Sequence, residues 1–153
     1  MVAGLSGFVQ VEPQLGSPAT EKTDVWVAFD QKNFYVTFRC WESQPEKRVS
    51  TEMRRDAQKV FSGDDIAYFF LDTFHDRRNG MTFSINSLGG RDEGQVDGTQ
   101  YLGDWNPIYD VGTGTFDGGW VLEVAIPFKS IRYAAGEEQE WGFNALRTVR
   151  FRN

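Results

Sequence analysis

The sequence is poor in the residues on which most metal sites and catalytic triads depend. It contains one cysteine and one histidine among 153 residues. One cysteine cannot form an internal disulfide or a thiolate zinc cluster, and one histidine cannot build a site of several imidazole ligands. The net charge of −6 argues against a nucleic-acid partner, because neutralising phosphates needs a basic surface. No run of residues approaches the ~18 apolar side chains of a membrane span, so no membrane-spanning segment is expected.

Aromatic residues and glycine, in contrast, are plentiful. The chain has 13 Phe, 5 Tyr and 5 Trp, which make 15% of it, and 16 Gly. Its length suits one domain of roughly 100–200 residues, and no repeat or linker-like stretch divides residues 1–153. Acidic residues dominate the middle, where twelve acids and four bases lie between Asp56 and Glu123. Such a segment usually forms solvated loops and less often a cation site.

Apolar residues recur with a period of two, which is the pattern of β-strands. Six segments show it: 24–30, 34–41, 65–74, 81–87, 120–126 and 141–149. The polar residues between the first two segments predict a hairpin. The third segment is apolar on both faces and is predicted to be a central strand. Helical signal is limited to a turn or two within 45–59 and one turn within 127–133. The pattern predicts an all-β fold, an antiparallel β-sandwich with one or two short helical turns.

The alternation also assigns side chains to faces. Phe38 and Cys40 share one face of their segment, and Trp41 lies on the other. Trp120 and Trp141 begin their segments in phase with the inward positions. Both are therefore predicted to be core residues.

Several stretches, read in order, resemble the family 9 carbohydrate-binding modules and the wider group of DOMON-like sandwich domains. They are GFVQVEP, LGSPATEKTDVWVAFD and NFYVTFRCWE, then GDDIAYFFLDTFHDRRNGMTFSINSLGGRDE, and finally GGWVLEVAIPFKSIRY and WGFNALRTVRFRN. The resemblance covers nearly the whole chain. Within it, LDTFHDRRN is most similar to a subgroup found at the N-terminus of large bacterial envelope proteins.

This resemblance implies a jelly-roll-like or DOMON-like sandwich that binds carbohydrate without catalysis. It also implies a secreted or bacterial cell-envelope protein, in which this domain is excised from a longer chain with other domains. The opening MVAGLSGF is a poor signal peptide, because it lacks a basic region and its apolar run is interrupted by glycine and serine. Family members usually have a further strand before this region and more chain after it, so an unpaired strand edge is expected.

Sugar binding needs flat apolar surfaces for the C–H faces of pyranose rings and fixed polar groups for the hydroxyls. The resemblance implies that Phe61 corresponds to the first aromatic residue of the family's clamp, and Asn86 to an amide of the site. The family's acidic position corresponds to Ala67 and its arginine position to Ser84, while its second tryptophan would lie beyond the end of this chain. The alternative for Phe61 is a loop aromatic that closes the core.

Other aromatic residues are candidates because of their own setting. Trp105 lies in a turn-rich stretch near Tyr101, beside Asp104 and Asn106, which suits a sugar platform. The alternative is a loop tryptophan folded onto the sandwich. Trp41 is out of phase with the core and is a further candidate, although other parts of the chain could equally cover it.

A structural calcium ion is also implied by the resemblance, because family 9 modules often carry one. Asp72 and Asp76 are the candidate ligands, since calcium prefers six to eight oxygen ligands. Arg77 and Arg78 follow directly and would oppose a cation. A solvated loop is therefore the alternative.

Catalysis has little support in the sequence. His75 is the only imidazole, and no serine or cysteine is recognisably placed as a nucleophile. Asp64 and Asp65 are consecutive and point to opposite faces of a strand, whereas a glycosidase pair must flank one bond. Asp64 is expected to bond neighbouring backbone or an arginine. Arg150 is expected to pair with Asp65 or Asp72, with a sugar contact as the alternative.

The sequence therefore predicts a non-catalytic carbohydrate-binding module that recognises poly- or oligosaccharide by aromatic stacking. The alternative is a structural or protein-interaction sandwich that has lost the sugar site, to which Ala67 and Ser84 point. A third interpretation is a haem-binding domain with Met53, Met81 and His75 as candidate ligands. Because Met81 is in phase with the core, no haem is expected.

Overall fold

A computed structural model describes residues 2–152, including all side chains in that range except those of Val2, Gln58 and Lys59. The described residues form ten strands in two five-stranded sheets. The strands are β1 (Val2–Leu5), β2 (Thr23–Phe29), β3 (Asn33–Trp41), β4 (Ile66–Asp72), β5 (Asn79–Asn86), β6 (Arg91–Asp97), β7 (Gln100–Leu102), β8 (Asp110–Phe116), β9 (Gly119–Pro127) and β10 (Gly142–Thr148). The first sheet has the order β1-β2-β3-β9-β8 and the second the order β10-β4-β5-β6-β7. Neighbouring strands are antiparallel throughout.

The predicted all-β sandwich is confirmed, with a helical content slightly above the prediction. Four short helical segments lie in the described part of the chain: the α-helix α1 (Gln58–Gly63) and the 3₁₀ turns Pro45–Lys47, Phe128–Ser130 and Arg150–Arg152. None of them is both long and apolar enough to cross a membrane. The last strand, β10, pairs only with β4 and forms one edge of the second sheet.

The core lies between the inward faces of the two sheets and contains the alternating apolar residues that were predicted to point inward. Phe38 and Cys40 of β3 and Trp120 of β9 are fully buried. Across from them, Phe69 of β4 stacks on Phe83 of β5 with ring centroids 4.7 Å apart. Rings that pack in this way fill the interior of a sandwich at close to crystalline density.

Trp141 departs from its predicted core position. It is only partly buried, and it packs at one end of the sandwich against Phe34, Phe128 and Tyr133, with ring centroids 5.5–6.0 Å apart. Position 141 precedes β10, so the alternation of that strand does not fix the direction of its side chain. The predicted core role therefore holds for Trp120 but not in full for Trp141.

The predicted hairpin between β2 and β3 is present and has a simple cause. The Asp30 carboxylate accepts hydrogen bonds from the backbone N–H groups of Lys32 and Asn33, at 2.7 and 2.8 Å. An aspartate that bonds the backbone two and three residues ahead favours a tight turn over continued strand. These bonds also lower the pKa of Asp30, since they favour its ionised form.

A buried ionic network joins the two sheets at one end of the sandwich. Glu42, which follows β3, accepts hydrogen bonds from Arg48 at 2.6 Å and from Arg147 of β10 at 3.2 Å. The side chains of Glu42 and Arg147 are 1% and 4% exposed. Arg147 also donates to the carbonyl oxygen of Trp41 at 2.8 Å, so it links the second sheet to the end of β3. Charges this deeply buried are tolerated because they are paired and hydrogen-bonded.

Replacing Glu42 with Gln is expected to lower the free energy of unfolding by about 3 kcal/mol, because Arg48 and Arg147 would stay buried without their anion. Chemical denaturation at neutral pH measures this. Glu123→Gln, on the exposed face of β9, is the matched control and is expected to change stability by less than about 0.5 kcal/mol. A loss below about 1 kcal/mol for Glu42→Gln would contradict the role given to the network.

Candidate functional site

The outward face of the second sheet carries a row of aromatic and polar side chains. Residues paired across an antiparallel sheet share a face, as do residues two apart along a strand. Tyr68 of β4 pairs with Ser84 of β5, and Ser84 pairs with Asp92 of β6. Since Phe69 points into the core, these three side chains point outward. Together with Phe70, the next outward residue after Tyr68, and Tyr101 of β7, they make up what we call the outer-face platform.

Two glycines allow rings of the platform to lie close against the sheet. A Cβ atom at Gly80 would come within 2.1 Å of the Phe70 ring, and one at Gly94 within 2.4 Å of the Tyr101 ring. Neither ring could keep its place above any other residue type. Glycine within a strand often marks such a close approach. Both rings therefore lie directly against the main chain of a neighbouring strand.

The polar groups of the platform lie among these rings. The Tyr101 hydroxyl is 3.5 Å from a carboxylate oxygen of Asp92. Burial raises the pKa of Asp92, and the charge of nearby Asp56 adds to this effect, while the contact with Tyr101 opposes it. Ser84 is 3% exposed, and within the described chain no hydrogen bond is made to its hydroxyl. The platform thus combines aromatic surface with the Asp92 carboxylate and the exposed Tyr101 hydroxyl, which is what a polyhydroxylated ligand requires.

Phe61 of α1 extends one side of the platform. It is 55% exposed and makes an edge contact with Tyr68, with ring centroids 6.3 Å apart. The alternative in which Phe61 closes the core is therefore wrong. The neighbouring Val60 has that role instead, since it is fully buried.

The position of α1 depends on Asp64 and Arg150. The Asp64 carboxylate accepts hydrogen bonds from the backbone N–H groups of Thr51 and Glu52 at 3.0 and 3.1 Å, as expected for a carboxylate that bonds nearby backbone. The Arg150 guanidinium donates to the carbonyl oxygens of Phe61 and Asp64. These bonds satisfy backbone groups at the end of the helix, which have no partner within it.

The predicted ion pair of Arg150 with Asp65 or Asp72 is wrong. Asp65 instead accepts a hydrogen bond from the backbone N–H of Arg150 at 2.6 Å and another from that of Val49. Burial raises the pKa of Asp65, and these backbone bonds oppose the shift. Because the side chain of Arg150 already donates to carbonyl oxygens, its backbone N–H is the group that donates to Asp65.

Asn86 lies beneath the sheet surface and uses its whole hydrogen-bonding capacity within the protein. Its amide nitrogen donates to the Glu52 carbonyl oxygen at 2.7 Å and to the Asp64 carboxylate at 2.6 Å. Its amide oxygen accepts from the backbone N–H groups of Leu88 and Gly90. A primary amide has two donor hydrogens and two acceptor lone pairs. None is left for a ligand, and Asn86 is fully buried.

The two tryptophan candidates lie on other surfaces. Trp105 is partly buried and packs edge to face on Phe83, with centroids 5.7 Å apart, as in the alternative where it folds onto the sandwich. Trp41 lies on the outward face of the first sheet and donates to Asp24 at 3.0 Å. The Arg39 guanidinium carbon lies 4.3 Å from the centroid of the Trp41 ring. This cation–π contact covers one face of the indole.

Ala67 and Ser84, to which the family's two charged positions correspond, lie on opposite faces of the second sheet. Ala67 pairs with Ile85 and is fully buried in the core, whereas Ser84 pairs with outward-facing Tyr68. No single ligand could contact both side chains. The outward residue next to Ala67 is Tyr68, which belongs to the platform.

The carboxylates proposed as calcium ligands hold their own loop together. Asp72 accepts hydrogen bonds from the backbone N–H groups of Asp76 and Arg77 at 3.2 and 2.7 Å. Asp76 accepts from the N–H groups of Arg78 and Asn79 at 2.9 and 2.8 Å, which lowers its pKa. In the described part of the chain, no three acidic, histidine or cysteine side chains are gathered as metal ligands require. The two carboxylates therefore stabilise their own loop, and calcium binding by them stays a prediction.

The groups with catalytic potential are also engaged in structure. Burial raises the pKa of the Cys40 thiol to about 12, so it does not form a thiolate at neutral pH. His75 lies in the loop after β4, 3.6 Å from Glu140. Of the methionines considered for haem, Met81 is 4% exposed in the core and Met53 is 71% exposed.

Sequence reasoning named Phe61 and Tyr101 but missed Tyr68, Phe70 and Asp92. Tyr68 and Phe70 alternate with the core residues of β4, so the alternation indicates that they face outward. A strand that is apolar on both faces, however, predicts that other parts of the protein cover both of its faces. Asp92 lies in a strand whose composition gave no strand pattern. The glycine at position 94 was the remaining clue.

Comparison with solved structures finds this fold in a family 9 carbohydrate-binding module from Caldicellulosiruptor kristjanssonii, in complexes with cellotriose and with glucose. The TM-scores are 0.54 and 0.53, with 14% sequence identity over 84% of this chain in both. The chain spans 58% and 59% of the length of those two chains. Neither the protein-family models nor the curated proteins gave a match. At this identity the likeness establishes the fold alone.

Replacing Asn86 with Ala is expected to lower the free energy of unfolding by roughly 2–4 kcal/mol, because four buried groups lose their hydrogen bonds. Thermal and chemical denaturation measure the loss. Asn106→Ala, at an exposed loop position, is the control and should leave stability unchanged. A stable Asn86→Ala protein that had lost ligand binding would show that Asn86 contacts a ligand instead.

Proposed function

We propose that this chain is a non-catalytic carbohydrate-binding module whose outer-face platform binds poly- or oligosaccharide. The observation that carries the proposal is the pair of rings, Phe70 and Tyr101, packed closely over Gly80 and Gly94 on the outward face of the sheet. A flat ring face is the surface that packs on the C–H face of a pyranose. The family 9 modules that share the fold bind cellotriose and glucose, which supports a sugar of some kind.

The polar groups of the platform supply the directional part of recognition. Asp92 accepts hydrogen bonds from sugar hydroxyls when ionised, and the exposed Tyr101 hydroxyl both donates and accepts. Tyr68 and Asp92 lie on strands two apart, which is about 10 Å. This distance accommodates one pyranose ring between them. Because the surface is open and not enclosed, it suits an internal stretch of a polymer.

The sequence-derived set of sugar-binding residues changes accordingly. Tyr101 and Phe61 remain in the proposed site, and Tyr68 joins them. Trp41 and Trp105 lie on separate surfaces, so they do not contribute to this site. Asn86 supports the site from beneath by fixing the loop that carries Glu52.

A protein-interaction sandwich without a sugar site is the second candidate function. It is favoured because uncharged Ala67 and Ser84 stand at the family's two charged positions. It is also favoured because Asn86 makes all its hydrogen bonds within the protein. Failure of every glycan to bind a folded protein would decide for it. A secreted or envelope parent protein with further domains is a proposal carried by the sequence resemblance.

Replacing Tyr101 with Ala is expected to weaken glycan binding by roughly 1–2 kcal/mol, about five- to thirtyfold, because one stacking face is lost. Gly94→Ala is expected to weaken it similarly while Tyr101 remains in the sequence, since the added methyl group displaces the ring. Isothermal titration calorimetry with soluble plant and bacterial glycans measures both. Phe29→Ala, an exposed aromatic of the first sheet, is the control. Unchanged binding by both platform variants would refute the proposed site.

Binding is expected to weaken on acidification, because Asp92 has a raised pKa and loses its charge at a higher pH than an ordinary aspartate does. Asp92→Asn is expected to bind more weakly at neutral pH and to show little further change on acidification. A pKa raised on folding means that the ionised carboxylate costs stability at neutral pH, so this variant is not expected to unfold. A pH dependence that persists in Asp92→Asn would assign the titration to another group.

A further inference from the structure

A cleft with a basic rim continues the outer-face platform beyond Phe70. It has a volume of about 350 Å³, and Phe70, Val96, Asn144 and the carboxylate of Asp72 lie along it. Arg77 and Arg78 lie at its edge, where the loop after β4 returns to β5. We call this cavity the arginine cleft. Because Phe70 belongs to both surfaces, a polymer lying on the platform would reach the cleft without a break.

The two arginines differ from five of the protein's eleven arginines, which form ion pairs. Arg48, Arg54, Arg55, Arg147 and Arg152 each form an ion pair with a glutamate. Within the described chain, the guanidinium groups of Arg77 and Arg78 make neither an ion pair nor a hydrogen bond with protein. They lie in the most acidic segment of the sequence, yet its carboxylates Asp72 and Asp76 are bound to backbone N–H groups. The guanidinium donors are thus without a hydrogen-bond partner in the described protein, although Asp72 and Asp76 keep their own negative charge beside them.

Hydrogen bonds to two carboxylates fix the main chain at the two arginines. Asp72 fixes the N–H of Arg77, and Asp76 fixes that of Arg78. Arg77 has a left-handed φ of 58°, which residues with a side chain adopt only where surrounding bonds enforce it. A guanidinium nitrogen of Arg78 lies 3.8 Å from the place of a Cβ atom on Gly98, so the side chain runs along the rim. The main chain at both arginines is therefore fixed, while their side chains are exposed.

We infer that the arginine cleft binds the carboxylate of an acidic sugar within the polysaccharide on the platform. This inference rests on the proposed function and specifies its substrate class. Guanidinium groups bind carboxylates through paired, charge-assisted hydrogen bonds. Phe70 offers its ring to the C–H face of the same pyranose. A uronic-acid polymer therefore satisfies both the basic rim and the apolar floor, whereas a neutral sugar leaves the charges unused.

The test compares a polyuronate with the same polymer after its carboxylates are reduced to primary alcohols. The whole chain is titrated with both by calorimetry, alongside the double variant Arg77→Gln/Arg78→Gln. Lys32→Gln/Lys129→Gln removes the same charge at two exposed positions outside the cleft and is the matched control. Melting temperatures of all variants verify that they are folded.

The polyuronate is expected to bind roughly tenfold or more tightly than its reduced form, and this preference should vanish in the arginine variant but not in the lysine variant. Retention of the preference in Arg77→Gln/Arg78→Gln would overturn the inference. Equal binding of both polymers by the original protein would overturn it while leaving the proposed function intact. Equally tight binding of a sulfated neutral glycan would overturn the assignment to carboxylates. Failure of all polymers to bind would overturn the proposed function as well.

Discussion

Asp64 and Asp65 are fully buried where α1 meets β4, and the surrounding chain is arranged to supply their hydrogen bonds. Strand geometry sends two consecutive side chains to opposite faces. One carboxylate therefore gathers the loop at residues 51–52 together with Asn86, and the other gathers Val49 and the backbone of Arg150. Buried carboxylates without such partners would cost several kcal/mol each. The path of the loops around them follows from that cost.

The outer-face platform depends on this anchoring. The bonds to Asp64 and from Arg150 place α1 against the second sheet, and α1 brings Phe61 to Tyr68. The close packing of the remaining rings on the sheet has a different origin, since it depends on glycine beneath them. A rigid sandwich thus offers a ligand surface without a long mobile loop. The arginine cleft adds charge at one end, fixed by the same kind of backbone-to-carboxylate bonds.

Strands that bury alternating apolar residues were predictable, and those that do not were missed. β3, β5 and β9 have core residues at every second position, and period two identified them. β6 and β8 are polar and rich in glycine. On the inward face of β6, Glu93 is buried against Arg55 and Tyr109, a pairing that no local pattern reveals. The candidate site was only partly predictable for the same reason: Tyr101 and Phe61 stood out as aromatic residues near loops, whereas Asp92 acquires its setting from strands distant in sequence.

The arrangement of aromatic residues also has a spectroscopic consequence. The outer-face platform is built from tyrosine and phenylalanine, while Trp105 and Trp120 pack with the core and Trp41 lies on the other sheet. The near-ultraviolet emission of this protein comes mainly from indole groups that a ligand on the platform would not touch. A sugar could then occupy the platform with little change in that emission. A ligand that did quench it would identify the first sheet, around Trp41, as a separate point of contact.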